Sequence, residues 1–237
     1  MRPFSIISTL SSLVFPIRCP SCQKSLVIDS GICRACRESI NPKVLITFRG
    51  QLKIFAGSSY TPNLSRIILG AKEANLSQAR IFLAERLTDC LLRAKSEIEE
   101  KNGSLVENIV IIPIPSNARA DRKRGFAHIQ LLISELIIRN QNLSFEVLDC
   151  LHHIKKISDQ SSLNFNERAL NMKGAFAVDE ILYFEIYPVM NSNSLVFLVD
   201  DLVTTGATVQ AANLALSTLG GRVDGVLASC ATEGFTH

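Results

Sequence analysis

The chain has 237 residues, of which 47% are hydrophobic and 20% charged, and its formal net charge is +3. This composition supports a sizeable core and excludes wholesale disorder, and the charge excess is too small to indicate nucleic-acid or membrane binding by itself. With no Trp and 3 Tyr, an extended aromatic platform for stacking bases is not expected either.

The first 18 residues carry apolar side chains at helical spacing and predict a short amphipathic helix. Phe4 to Phe15 imitates the apolar region of a signal peptide, but Ser and Thr interrupt it and no small-x-small cleavage site follows. No apolar run reaches the roughly 18 residues that a membrane span needs. We therefore expect no membrane insertion and a cytoplasmic location, which the odd number of 7 Cys also favours.

Two C-x-x-C pairs follow, Cys19 with Cys22 and Cys33 with Cys36. Each pair can bend around one ion, so together they predict a tetrahedral Zn²⁺ site with four thiolates. Incidental pairs or two redox disulfides are the alternatives. Four protein ligands leave no open position, so the zinc would be structural. The other cysteines are expected to be buried as small hydrophobic side chains: Cys90, Cys150 and Cys230.

From about residue 62 onward, helical and strand patterns alternate, which predicts a parallel α/β sheet flanked by helices. A strand-like run around Lys53–Tyr60 comes first. Further helices are predicted over Leu76–Glu100, Ile129–Arg139 and Val209–Leu219, and strands over Ile109–Ile114, Leu195–Val199 and Arg222–Ser229. The polar stretch Ser158–Asn171 predicts a loop or a short helix.

The most specific segment runs from Val196 to Thr208, in which an apolar strand is followed by two carboxylates, a small-residue turn and a helix. The turn residues can point N–H groups and hydroxyls at a phosphate: Thr204, Thr205, Gly206, Ala207 and Thr208. Asp200 and Asp201 can accept hydrogen bonds from a ribose diol and help hold Mg²⁺ through water. The alternative is an ordinary acidic strand end beside a Thr-rich helix start. No Walker motif is present, so an ATPase is not indicated.

Basic side chains cluster between Pro115 and Gly125. They suit a pyrophosphate or nucleic-acid site, or a solvated loop, and Arg124 is the strongest candidate because a guanidinium binds phosphate bidentately. Lys72 is either a phosphate ligand or a solvated helix end. Gln160 and Arg168 could reach the site or cap a short helix. The histidines, including His128 and the His152-His153 pair, complete no metal-binding pattern and are expected at the surface.

The segment around the acidic doublet resembles the phosphoribosyl-pyrophosphate loop of type I phosphoribosyltransferases, and nearly the whole chain resembles the ComF family of competence protein F-like proteins. The segments that carry the resemblance are Phe15-Pro16, the stretch from Tyr60 to Lys72, Ile112-Pro-Ile-Pro115, Arg124-Gly-Phe126, Gln160, Leu163, Arg168, Asn171 and Gly174-Ala-Phe176. Many members carry Asn-Gln after the Arg-Gly-Phe and an aromatic after the Lys, whereas this chain has Ala127-His128 and Glu73.

The resemblance implies a type I phosphoribosyltransferase-like domain over residues 46–237, preceded by an N-terminal helix and zinc module over residues 1–45. It also implies binding of phosphoribosyl pyrophosphate with Mg²⁺, with Asp200 and Asp201 on the ribose hydroxyls, Thr204–Thr208 on the 5′-phosphate, and Arg124 and Lys72 near the pyrophosphate. The acceptor of phosphoribose is unknown.

A role in DNA uptake is implied as well, with single-stranded DNA and a helicase-like ATPase as candidate partners. Two other functions compete with the transferase. One is a non-catalytic competence accessory protein that binds single-stranded DNA, and the weaker one is a nucleobase salvage enzyme, which would need a base-recognising hood.

Overall fold

The computed structural model describes residues 18–24, 32–40, 43–116, 118–154, 174–190 and 193–233. The predicted leader helix, Phe15-Pro16, and the stretch 158–171 with Gln160 and Arg168 lie outside the described residues. In chain order the described elements are α1 (Arg34–Ser39), β1 (Leu45–Arg49), β2 (Leu52–Ala56), α2 (Pro62–Ala74), α3 (Ser77–Asn102), β3 (Asn108–Pro113), α4 (Ala118–Arg124), α5 (His128–Arg139), β4 (Ser144–Val147), β5 (Leu151–His153), β6 (Phe176–Val178), α6 (Glu180–Ile186), β7 (Ser194–Val203), α7 (Ala207–Ser217) and β8 (Gly225–Ala231).

Six strands form a central sheet in the order β1-β2-β8-β7-β3-β4. β1 and β2 are an antiparallel hairpin, and every other neighbouring pair in this sheet is parallel. β5 and β6 pair separately as a small antiparallel sheet. The prediction of a parallel α/β sheet flanked by helices is confirmed for the strands from β2 onward, whereas the antiparallel strand β1 at one edge was not predicted.

The central strands are apolar along their length because both faces of the sheet are covered. Leu195, Phe197 and Val199 of β7 pack with α3 and α5 on one face. The alternating Val196 and Leu198 pack with α7 on the other face. The period of two along a strand therefore divides a single apolar run between two cores.

Local signals fix the ends of the two helices that follow the hairpin. Thr61 caps α2 by accepting a hydrogen bond from the N–H of Leu64, and Pro62 occupies the first turn, where its missing N–H costs nothing. α3 ends at Gly103, whose left-handed backbone has a φ of 67°. The helix predicted over Leu76–Glu100 is therefore present and ends two residues later than predicted, at Asn102.

The cysteine segment packs on the same core as the helices of the first face. Cys19, Ile32, Cys36 and Ile40 are buried in one cluster with side chains of α2 and α3. Throughout the described part of the chain, each helix is too short or too polar to cross a lipid bilayer.

Candidate functional site

A cleft opens where the chain leaves β3 and β7, which are adjacent parallel strands near the centre of the sheet. From β3 the chain continues through α4 and α5 to β4 on one side, and from β7 through α7 to β8 on the other. Open α/β sheets bind ligands at such a switch point, outside the carboxyl ends of the strands. The cleft measures about 350 Å³, and its lining includes six predicted substrate-binding residues: Lys72, Arg124, Asp200, Asp201, Thr204 and Thr208.

The acidic doublet lies inside β7, which continues to Val203. The prediction that the strand ends at Val199, before the doublet, is wrong, because pairing with β8 extends through Leu202↔Cys230 and Val203↔Ala231. Neighbouring strand residues face opposite sides, so the two carboxylates have different surroundings. Asp200 is half-buried, whereas Asp201 is 3% exposed.

Asp201 is held by two basic side chains from different helices. Its Oδ2 accepts a hydrogen bond from Lys72 Nζ of α2 at 3.0 Å. The same oxygen lies 3.4 Å from Nε2 of His128, the fully buried first residue of α5. The site thus joins β7 to one helix that precedes it by more than a hundred residues and to another that follows β3.

The pKa values of the two carboxyl groups in the doublet are shifted in opposite directions. Burial and the neighbouring Asp201 carboxylate raise the pKa of Asp200 well above its usual range. Burial alone would also raise the pKa of Asp201, but His128 and the Lys72 ammonium outweigh it and hold that pKa well below its usual range. For Lys72, burial would lower the pKa, but Asp201 outweighs burial and raises it. Asp201 is therefore a fixed anion at neutral pH, and Asp200 is the carboxyl that holds its proton more tightly.

The turn between β7 and α7 presents the start of a helix to the cleft. Gly206 immediately precedes α7 with a φ of 79°, and Thr205 Oγ1 accepts a hydrogen bond from the N–H of Ala207. The first N–H groups of a helix have no partner within it, so they are available to an anion. Thr204 and Thr208 line the cleft, whereas Thr205, Gly206 and Ala207 shape the turn behind them.

Arg49 of β1 supports this turn from inside the protein. The residue is 8% exposed, and its Nε donates to the carbonyl oxygen of Thr204 at 2.8 Å. A Cβ on Gly206 would lie 2.4 Å from Cγ of Arg49, so only glycine fits there even apart from its positive φ.

Arg124 reaches the cleft with its guanidinium already paired. Its side chain is 6% exposed and donates to Glu73 Oε1 at 3.0 Å and to Asp121 Oδ1 at 2.6 Å. Glu73 follows Lys72 near the end of α2, and its carboxylate serves as an ion-pair partner of Arg124. An incoming phosphate would have to compete with two carboxylates for this fork.

The basic side chains before Arg124 lie on the short helix α4. Arg119, Arg122 and Lys123 are exposed, while Ala120 and Arg124 of the same helix line the cleft. One face of α4 therefore borders the cleft and the other carries positive charge into solvent.

The four cysteines predicted as zinc ligands come together. The Sγ atoms of Cys19, Cys22, Cys33 and Cys36 all lie within 4.8 Å of one another, and those of Cys22 and Cys33 are 3.6 Å apart. Zn–S bonds of about 2.3 Å in a tetrahedron place the sulfurs roughly 3.8 Å apart, so the spacing fits zinc. The cluster could hold a structural zinc ion, and its thiols are free rather than joined as disulfides.

The thiols of the cluster do not ionise alike. Burial alone would raise the pKa of Cys19, but backbone N–H groups of Cys22 and Cys33 lower it to about 7. Burial raises the pKa of Cys36 to about 12. Four thiolates cannot accumulate there without a cation among them, which is the role a metal ion would fill.

Two predictions about histidines are wrong. His128 is fully buried beside Asp201, because α5 packs against α3 and against β3 and β7 of the sheet. His153 is partly buried, with Nε2 3.0 Å from the carbonyl oxygen of Pro115 and its ring 4.7 Å from that of Phe176. His152 is exposed as predicted, and the prediction that Cys90, Cys150 and Cys230 are buried is confirmed.

Sequence reasoning missed His128 and Arg49 as parts of the site. Arg49 carries no local signal, since an Arg before Gly50 in a hairpin is typical of a solvated turn.

Comparison of the chain with models of protein families and with curated proteins finds no match.

Proposed function

We propose that the protein binds phosphoribosyl pyrophosphate with Mg²⁺ in the cleft at the ends of β3 and β7 and acts as a phosphoribosyltransferase of the type I kind. One observation carries this: a single cleft combines two carboxylates, a helix start and two cationic side chains. These groups match, in order, a ribose diol, a 5′-phosphate and a pyrophosphate.

The turn Thr204–Thr208 would bind the 5′-phosphate through hydroxyls and the N–H groups at the start of α7. Asp200 and Asp201 would accept hydrogen bonds from the ribose hydroxyls. Since Lys72 and His128 already hold Asp201, that carboxylate is ready to receive a donor without rearrangement. Lys72 and Arg124 would offset the charge of the pyrophosphate.

In the transferase reaction the bond between C1 and the pyrophosphate oxygen breaks, positive charge builds on the ribose ring, and a nitrogen nucleophile forms the new bond at C1. Mg²⁺ carried with the pyrophosphate would neutralise charge on the leaving group. The residues of this chain would supply position and electrostatic stabilisation, with the ionised Asp201 and its neighbour facing the ribose.

The test is calorimetric titration of the zinc-loaded protein with phosphoribosyl pyrophosphate, with and without Mg²⁺. We expect micromolar binding that requires Mg²⁺ and is lost in the double variant Asp200→Asn/Asp201→Asn. Asp89→Asn on α3, whose carboxylate pairs with Arg86, is the matched control and should bind like the parent. Absence of binding by the folded parent would overturn the proposal.

We propose as a second candidate that the exposed face of α4 binds single-stranded DNA, in keeping with the DNA-uptake role that the ComF resemblance implies. Arg119, Arg122 and Lys123 present their charge beside the cleft. The observed affinity should then fall steeply with salt, and Arg122→Gln/Lys123→Gln should reduce the slope by about 1 to 2. Arg93→Gln on α3 should leave the slope unchanged. An unaltered slope in the α4 variant would exclude this face as the DNA site.

A further inference from the structure

Arg49 is a buried cation, and within the described part of the chain no carboxylate lies within ion-pair distance of it. Its guanidinium donates to the Thr204 carbonyl, to Phe48 O at 2.8 Å and Thr47 Oγ1 at 3.0 Å, and to Thr232 O at 2.6 Å and Thr232 Oγ1 at 3.3 Å. All these acceptors are neutral. Among the described residues, none of the ion pairs includes Arg49.

A buried charge paired only with dipoles is unusual, since the hydrogen bonds are satisfied but the charge is not balanced. Burial lowers the pKa of Arg49, yet a guanidinium stays protonated at any physiological pH. The cation is therefore permanent, and it lies directly behind the turn that leads into α7.

The contacts of Arg49 also orient this turn. Thr204 O accepts hydrogen bonds from both Arg49 Nε and Thr232 Oγ1, the latter at 3.1 Å. These two bonds fix the carbonyl toward the protein interior. In a planar trans peptide the C=O and the following N–H point in opposite directions. The Thr205 N–H is consequently directed away from Arg49.

The aliphatic part of the Arg49 side chain packs against Gly206, and its Nε donates to Thr204 O two residues earlier, so the cation lies close to the start of α7. The positive end of the helix dipole and the guanidinium charge then reinforce each other at the same place. An anion there would be stabilised by both, and it would supply the counter-charge that Arg49 lacks.

We infer that Arg49 is a positioning residue of the phosphate site: it fixes the Thr204–Gly206 turn through the Thr204 carbonyl, and its buried charge is balanced by the phosphomonoester that the turn binds. The inference rests on the proposed function and adds to it a second source of phosphate affinity, on a hairpin remote in sequence from the loop itself. The ligand group concerned is a phosphate dianion rather than the pyrophosphate.

Ribose 5-phosphate is the appropriate probe because it lacks the pyrophosphate. We expect Arg49→Gln, which removes the charge, to weaken its binding by about tenfold or more in calorimetry, and Arg49→Lys, which keeps the charge, to stay within about threefold of the parent. Arg222→Gln is the matched control, since Arg222 also donates to a backbone carbonyl, Ser194 O, at the opposite end of β7. It should bind like the parent.

Phosphorus NMR measures the pKa of the bound phosphate, which would not change if Arg49 had only a structural role. The second ionisation of a free phosphomonoester has a pKa of about 6, and a nearby cation lowers it. The pKa of bound ribose 5-phosphate should be lower in the parent and Arg49→Lys than in Arg49→Gln. Equal values in all three would overturn the role of the charge.

The possible failures are distinguishable. A parent that does not bind ribose 5-phosphate overturns both the phosphate site and the role of Arg49. A folded Arg49→Gln that binds within threefold of the parent overturns the role of Arg49 and leaves the site intact. If Arg49→Gln does not fold, Arg49→Lys decides: affinity near that of the parent supports the inference, and a tenfold loss overturns it.

Discussion

Lys72 Nζ lies 3.0 Å from Asp201 Oδ2, although 129 positions separate the two residues in the chain. The contact fixes α2 against β7 at the edge of the cleft. It also keeps one carboxylate of the doublet ionised, so the two Asp residues can take different parts in ligand binding.

Replacing Lys72 by Met should weaken binding of phosphoribosyl pyrophosphate by tenfold or more, because Asp201 loses its hydrogen-bonded cation and the pyrophosphate loses a counter-charge. Stability should fall by about 1–2 kcal/mol, less than for a fully buried pair, since the Lys72 side chain is 34% exposed. Lys53→Met is the control, because Lys53 pairs with Glu97 at 26% exposure away from the cleft. It should lose stability but keep binding, as calorimetry and denaturant titration can show.

Asn substitutions in the doublet should change stability in opposite directions at pH 7. The depressed pKa of Asp201 stabilises the folded protein above the usual carboxyl range near pH 4, and this is lost as pH falls through the folded pKa. Asp201→Asn should therefore cost about 3 kcal/mol at pH 7. Since the raised pKa of Asp200 makes its ionisation unfavourable on folding, Asp200→Asn should be more stable than the parent at pH 7.

Denaturant titrations from pH 3 to 8 would measure both effects of the Asn substitutions. The advantage of Asp200→Asn should vanish below about pH 4, where the unfolded parent also keeps its proton. A loss of stability in both variants at pH 7 would contradict the assignment of the two titrations.

Substitution of Gly206 by Ala should cost more than its backbone conformation alone explains. The left-handed φ costs about 1 kcal/mol, and the clash of the new Cβ with Arg49 adds to it. Gly220 has a similar φ of 73° and open space around its Cβ, so Gly220→Ala isolates the backbone cost. Thermal unfolding should show the larger loss in Gly206→Ala, which should also lose ribose 5-phosphate binding. Equal losses of thermal stability in the two variants would show that the Arg49 side chain can move aside without cost.

His128 should tolerate Gln better than Leu. The amide nitrogen of Gln can take the place of Nε2 beside Asp201, whereas Leu leaves that side of a buried carboxylate without a polar neighbour. We expect His128→Leu to lose about 1–3 kcal/mol of stability and His128→Gln less, in denaturant titration. Binding of phosphoribosyl pyrophosphate should follow the same order. Better tolerance of Leu would mean that His128 serves only to fill the core.

Zinc analysis should find one ion per chain, and Cys22→Ser should abolish it. Because Cys19 and Cys36 lie in the core shared with α2 and α3, removal of the metal by a chelator should also lower the unfolding temperature of the whole domain. Cys150→Ser, a buried thiol outside the cluster, is the control and should retain the zinc. A metal-free protein with unchanged stability would contradict a structural zinc site.

The local features of this protein could be predicted from the amino-acid sequence. The apolar run of β7 is a buried strand, the glycines at 103 and 206 have left-handed backbones, and the two C-x-x-C pairs bring four sulfurs together, because each feature depends on residues that are near one another in the sequence. The acidic doublet and the Thr-rich turn can also be predicted from sequence, because the strand, the carboxylates and the start of the helix are contiguous in the chain.

The set of distant side chains that share the cleft depends on how the strands and helices pack. Asp200 and Asp201 are adjacent in sequence, yet their pKa values shift in opposite directions, because Lys72 and His128 make their ion-pair contacts with Asp201, whereas burial and the Asp201 carboxylate dominate at Asp200. Arg49 reaches the turn before α7 because β1 and β2 join the sheet beside β8. Such contacts depend on strand order and helix packing, which periodicity along the chain does not encode. The neighbours of each charged side chain therefore cannot be predicted from sequence periodicity.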